Sequence, residues 1–372
     1  MKKSYFFLLF KLFPAGLQAV QIEKGPFLQE WTENGAAVIW ETSGNFSGSL
    51  KYGAGALDNE IVSPSNGFHH EIFLTGLKAG EVYDYAVFSN GMQVSEKYNF
   101  KTFAGKDAPF VFVVFGDNRS DHESHAKVVA KINEEDFDFL INTGDMVSSG
   151  DSEENWSKFF EIENGILHSS PMYPTIGNHD ESDGDAKIYK RIFSVPTESS
   201  GLEEYYAFTI GKSRFIVLDG HVKIKSWLDC LLMGKLYDEC FDKQQTDWLK
   251  KELEDSSQNK EIPHIFVITH MGPYSSKPGR TGSGQMRDFL DDFADAGVDM
   301  TFSGHDHYFE HGISVNGIHY FVTGGGGAPL YETDPSQSKI LFPHEVIESV
   351  SVYNYLVVTV AGDYVKVVAK DI

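Results

Sequence analysis

Five short segments of this chain end apolar runs with side chains that bind metal ions. They are Gly116-Asp117-Asn118-Arg119, Gly144-Asp145, Gly177-Asn178-His179-Asp180, Thr269-His270 and Gly304-His305-Asp306-His307. Their oxygen and imidazole donors suit Mn, Fe or Zn, and no cysteine lies among them. Two such cations about 3.5–4 Å apart grip a phosphoryl group between them and acidify a shared water, so that hydroxide is available near neutral pH. A carboxylate between the ions offsets their mutual repulsion. The order Asp, Asp, Asn-His, His, His-x-His therefore points to two-metal hydrolysis of a phosphoester.

The elements that must hold these residues are legible around them. Residues 109–115, 137–142, 214–218, 264–269, 299–303 and 319–323 are apolar on both faces, the pattern of strands buried inside a layered α/β sheet. Between them, 124–133 and 244–254 carry helical spacing, with Trp248, Leu249 and Leu253 on one face. The segments 355–360 and 364–368 read as a hairpin around Ala361-Gly362-Asp363. Ligands in such sheets gather at the carboxyl ends of the strands. Asp117, Asp145, His270 and His305 are each expected there.

The first hundred residues have a different rhythm. Short alternating bursts at 36–40, 49–52 and 70–74 read as strands of a small β-sandwich. The stretch Leu77 to Tyr85 resembles the tyrosine-corner turn of fibronectin type III domains, where a tyrosine hydroxyl bonds nearby backbone. The expected organisation is a signal peptide over 1–19, a fibronectin III-like all-β sandwich over 20–105 and an α/β domain over 106–372. The leader reading rests on Met1-Lys2-Lys3, the apolar run from Tyr5 to Phe13 and the small residues before Ala19, and it implies a secreted or periplasmic protein. No other stretch approaches the ~20 apolar residues of a transmembrane segment. Cys230 and Cys240 stand close enough in sequence to close a small loop, or to remain two unrelated thiols. With 54 acidic against 31 basic residues the net charge is -23, which repels nucleic-acid duplexes and anionic membranes. An anionic substrate needs local positive charge, which bound metal ions supply.

These motifs resemble those of the calcineurin-like metallophosphoesterases. With the sandwich in front, the chain is similar to purple acid phosphatases over roughly residues 21 to 331, most of its length. Supporting stretches are Ser213 to Asp219, Gln245 to Leu249 and Gly324 to Leu330. The resemblance implies an α/β metallophosphoesterase sandwich holding two metal ions (Fe, Mn or Zn). It implies Asp145 as the bridging ligand, Asn178, His270 and His305 completing one metal site, and Asp117 and His307 serving the other. It also implies that His179, oriented by Asp180, lies near the leaving group as a proton donor, with Asn178 reaching the substrate as well as the metal.

One position departs from the family. Most members write Asp-x-His in the first motif, whereas this chain has Asp117-Asn118-Arg119; the purple enzymes' tyrosine is matched by Ser148. An arginine does not lose its proton to bind a metal. Three readings of Arg119 are open: a two-pronged contact to substrate phosphate, replacement of the missing ligand by His122 or His125, or a site with one strong metal. Hydrolysis of a small phosphate ester or nucleotide is expected, with a phosphomonoesterase slightly favoured because Arg119 suits a terminal phosphate. The alternatives are a phosphodiesterase or nucleotide hydrolase on the same site, and a non-catalytic single-metal binding protein. His221, Lys277 and Arg280 are weaker candidates near the cleft, each equally an ordinary loop residue, and His311 is expected to face solvent or pack on its strand. The run Gly324 to Gly327 suits a tight turn beneath it better than a phosphate cradle.

Overall fold

A computed structural model describes residues 20–64, 66–182, 184–220, 231, 241–336 and 342–372. The expected leader at 1–19, Cys230, Cys240 and His221 lie outside the described residues.

Two sheets form the centre. One runs Met172–Pro174, Phe139–Asn142, Phe110–Phe115, Asn354–Ala361, Tyr364–Asp371, its first three strands parallel and the C-terminal hairpin joined to them through Asn354–Ala361, which pairs antiparallel to Phe110–Phe115. The other has seven strands, of which Ser213–Leu218, His264–Met271, Met300–Gly304 and His319–Thr323 are parallel neighbours. The strands are apolar on both faces because each sheet is covered twice. Phe112 of the first sheet meets Phe215, Phe266 and Phe302 of the second at ring separations of 5.3, 5.8 and 6.0 Å. Outside the first sheet pack helices α1 (His122–Ile132) and α2 (Glu153–Leu167), capped by Asp121 and Ser152. Outside the second, α4 (Lys243–Gln258), which follows the short α3 (Lys187–Ile192), shares a second core with Leu218, Val267 and Phe293. The result is helix, sheet, sheet, helix.

The N-terminal region is all β. Ile22–Gln29, Ala36–Phe46 and Gly67–Leu74 make one sheet, and Gly48–Gly53 and Val82–Ser89 are central to the other. At their corner the Tyr83 hydroxyl accepts the Lys78 N–H at 3.0 Å. This region is not a separate bead on a linker. Its core is continuous with that of the first sheet, through Phe27 against Phe160 at 4.8 Å and Trp31 against Phe139 at 6.1 Å. The Gln29 side chain donates to Met172 O and accepts from the Ser194 N–H, and the Tyr85 hydroxyl donates to His168 O.

The strand readings hold to within a few residues, with two differences that bear on the site. His270 lies inside its strand rather than after it, and Asp145 follows its strand by three residues. Helix α2 was not read from the sequence, because Glu163 stands in the middle of the stripe formed by Trp156, Phe159, Phe160, Ile166 and Leu167.

Candidate metal centre

At the carboxyl edge the chain must turn sharply to aim short side chains into the cleft between the sheets. Asp117, Asp145 and His305 all do so with positive φ, at 58°, 55° and 67°. That region is costly for non-glycine residues and is typically retained where a site needs it. Gly304 is required because a Cβ there would strike the Asp117 carboxylate, and Gly177 because one would strike Asp145. The two sheets are then tied across the cleft: the His305 N–H donates to Asp117 Oδ2 at 2.8 Å, and His270 Nδ1 lies 2.8 Å from Thr143 O.

That second bond decides the chemistry of His270. With Nδ1–H donated to a carbonyl, Nε2 presents a lone pair. It faces Asn178 Oδ1 at 3.2 Å, His305 Nδ1 at 3.2 Å and Asp145 Oδ1 at 3.4 Å. Ligand atoms of Asp145, His270 and His305 all lie within 4.8 Å of one another. Acceptors converge from four segments on one point, where a cation, or in its absence a proton on His270 Nε2, satisfies them. The electrostatics agree. Burial opposes charge on His270, yet Asp145 and Asp117 outweigh it and push its imidazole up to about 9, so without an ion a proton stands on Nε2 and a bound cation displaces it. Burial, then the charge of His270, pushes His305 down to about 2. These four residues fit a divalent ion.

The other half of the centre is built differently. His307 Nδ1 lies 2.8 Å from Pro329 O, so its Nε2 faces the cleft, 3.3 Å from Asp117 Oδ1. Asp117 Oδ1 is buried and makes no hydrogen bond. Arg119 places Nε 3.0 Å from Asp145 Oδ2 and Nη2 3.4 Å from His307 Nε2. Neither nearby histidine replaces the missing ligand. His125 is buried against Glu163 at 2.7 Å and packed on Phe159, and His122 is exposed at the start of α1. Ser148 is exposed, with its hydroxyl bonded by Asn155.

The expected pairing of His179 with Asp180 is not what the structure contains. His179 Nδ1 lies 3.0 Å from the carbonyl of Ser148, so that carbonyl orients the ring. Asp180 is fully buried and points elsewhere. Its carboxylate accepts the N–H groups of Asp145 (2.8 Å), Gly177 (2.9 Å) and Val147 (3.2 Å), which fastens two ligand-bearing loops together. None of these bonds reaches the His179 side chain. Burial and the neighbouring Asp145 charge raise its carboxyl to about 7.

Around the centre lies a basic rim. Arg280 pairs with Asp306 and donates to His305 O. Lys277 Nζ sits 3.2 Å over the ring of Tyr331, which stacks on His307 at 4.0 Å. Tyr331 escaped sequence reasoning, although it stands only four residues after Gly327. A cavity of about 290 Å³ beside His305 is lined by Tyr274, Arg280, Ser283 and Asp306. The glycine run itself is committed to packing, with the Gly326 N–H on Gly116 O and the Ala328 N–H on Asp117 O. His311 packs on Phe321 and bonds His319, away from the cleft.

Set beside known proteins, residues 110–309, more than half of the chain, match the model of the calcineurin-like phosphoesterases. An uncharacterised Mycobacterium tuberculosis protein is 27% identical over 172 residues, covering 44% of this chain and 32% of that protein. The Fe(3+)-Zn(2+) purple acid phosphatase 12 of Arabidopsis thaliana is 23% identical over 295 residues, covering 72% of this chain and 59% of the relative. The chain thus spans between a third and three fifths of these relatives. In fold it is similar to the yellow lupin purple acid phosphatase PPD1, with a TM-score of 0.74, 18% identity and coverage of 93% of this chain and 71% of that one. It is also similar to PhoD, with a TM-score of 0.67, 11% identity and coverage of 90% and 83%.

Proposed function

This chain belongs to the calcineurin-like phosphoesterase family, and from that premise we propose that it hydrolyses phosphate esters in a metal-dependent reaction, with monoesters favoured over diesters. The observation that carries the reading is the convergence of Asp145, Asn178, His270 and His305 from both sheets onto one point. An ion held there supplies positive charge to a phosphoryl oxygen and acidifies a water beside it.

The remaining work falls to the chain's own side chains. Asp145 joins the two halves of the centre through its two carboxylate oxygens, one toward His270 and one toward Arg119. Asn178, whose Oδ1 faces His270 Nε2 and would serve the ion, has an amide N–H left over to hold a substrate oxygen. His179, fixed through Nδ1 by Ser148, has Nε2 to hand a proton to the departing alcohol. Arg119, Lys277 and Arg280 set positive charge at the mouth of a strongly acidic protein, which favours the dianionic end of a monoester over the single charge of a diester.

The same reading takes the N-terminal sandwich as a fibronectin III-like domain over 20–105, supported by the Tyr83 corner, and places the chain outside the cytoplasm on the strength of residues 1–19. No described helix is long and apolar enough to cross a membrane. The full chain loaded with Mn, Zn or Fe should turn over nitrophenyl phosphate faster than its bis ester. Cleavage of neither removes the enzyme reading, and faster cleavage of the bis ester removes the monoester preference.

A further inference from the structure

The two halves of the centre differ in kind, and we propose that the guanidinium of Arg119 takes the place of one of the two metal ions, so that the protein carries one exchangeable ion and one cation built into its fold. This rests on the metal-dependent reading and goes beyond it, because the family pattern implies two ions.

Three donor atoms mark the first position: Asp117 Oδ1, Asp145 Oδ2 and His307 Nε2. Arg119 has claims on two of them, through Nε at 3.0 Å from Asp145 Oδ2 and Nη2 at 3.4 Å from His307 Nε2. The histidine contact is the stricter of the two. His307 Nδ1 is committed to Pro329 O, so Nε2 has a single lone pair, and a lone pair directed at an N–H is not available to an ion.

Charge tells the same story. Arginine stays protonated, so two divalent ions together with Arg119 would bring five positive charges against the two carboxylates of Asp117 and Asp145. One ion with Arg119 brings three, close to the four that two ions alone supply. Like charges this close repel strongly at the effective dielectric of a protein surface. A second divalent ion beside the guanidinium meets that penalty. The side chain is also held in place rather than free to swing aside, being only 16% exposed. A guanidinium offers phosphate oxygens a fork of N–H donors, so it takes over the charge-binding task of an ion without exchanging with solvent.

The test is a metal count on the full chain. Stripped wild-type protein titrated with Mn2+ should bind one ion, with the electron paramagnetic resonance spectrum of an isolated centre. Arg119→His restores the Asp-x-His pattern and should bind two, with the spectrum of an exchange-coupled pair. Arg119→Met removes the charge without adding a donor, and should admit a second ion at least ~10-fold more tightly than wild type. Two ions in the wild type overturn the proposal and leave the hydrolase reading standing. One ion in all three proteins also overturns it, since Arg119 would then not be what excludes the second. No ion in any of them, with no hydrolysis, removes the metal-dependent reading itself.

Discussion

Two clusters of charge in this molecule, each built around a buried carboxylate, behave in opposite ways. At the junction of the sandwich with the first sheet, Lys24 bridges Glu41 at 2.7 Å and Glu153 at 2.8 Å, and Arg191 reaches the same two acids at 2.9 and 2.7 Å. Each carboxylate there meets a cation supplied by the chain. Burial would raise the Glu41 carboxyl, but hydrogen bonds from His69, Lys24 and Arg191 hold it down at about 2. In the cleft, Asp145, Asn178, His270 and His305 face one another with acceptors, while burial and Asp145 push Asp180 up to about 7. A cluster that closes its own charge balance holds the fold together. One left open in a rigid frame is a place for something from outside.

The largest effect should come from opening the cleft cluster at its centre. Asp145→Asn should abolish hydrolysis and lower metal affinity by more than the ~10–100-fold that loss of an outer partner costs. The metal-free variant should nevertheless unfold within about 1 kcal/mol of wild type, since loss of the Arg119 pair is offset by relief of the repulsion on Asp180. Calorimetric metal titration and denaturant unfolding of the same protein read both halves of this statement. A large loss of apo stability would erase the distinction between the clusters.

The junction should respond the other way round. Glu41→Gln leaves Lys24, only 4% exposed, with Glu153 as its remaining carboxylate, and should cost about 1–3 kcal/mol with metal affinity unchanged. The pH dependence has a fixed sign. The folded pKa of about 2 lies below the ordinary 4.5, so the stabilisation is complete above 4.5 and is lost as pH falls from 4.5 toward 2. Denaturant midpoints across that range should fall more steeply for wild type than for the variant, and parallel curves would refute the assignment.

The two clusters also differed in how far the sequence disclosed them. Asp117, Asp145, His270 and His305 were legible because each sits at or beside the end of a strand apolar on both faces, where the layered sheet leaves its ligand edge. The Tyr83 corner was legible because its partner, Lys78, is five residues away. Nothing local announces the junction, whose Lys24 and Glu153 are 129 residues apart on elements that meet only once the cores merge. Asp180 was misread for a related reason. The family resemblance implied that Asp180 orients His179, but its carboxylate is spent on backbone N–H groups, including those of another loop, which no residue pattern encodes. The place of the C-terminal hairpin beside Phe110–Phe115 was equally silent, because a hairpin's sequence fixes its own register and not its neighbour.

Asp180→Asn tests that correction with an intermediate effect. An amide oxygen can keep the bonds from Asp145 and Gly177, but its NH2 then opposes the Val147 N–H. About 1–3 kcal/mol of stability should go, together with ~10–100-fold in metal affinity. A general acid would instead change the alkaline limb of the rate profile while metal affinity stayed put, and that outcome would restore the dyad.

Lys277 gives the smallest and finest test, because it belongs to neither kind of cluster. Its ammonium lies over Tyr331, and no carboxylate among the described residues is within ion-pair distance of it. Burial and then the charge of Arg280 hold its pKa below the usual lysine value. A cation left unpaired among cations does nothing for the fold, so Lys277→Met should leave unfolding unchanged. It should raise the KM of a phosphomonoester by about 2–5-fold, the worth of one partly screened charge contact, with kcat unaltered and a smaller change for a diester. If stability falls instead, the rim is part of the closed architecture. If kcat collapses with KM fixed, Lys277 acts on the reacting group itself rather than on the approach of its charge.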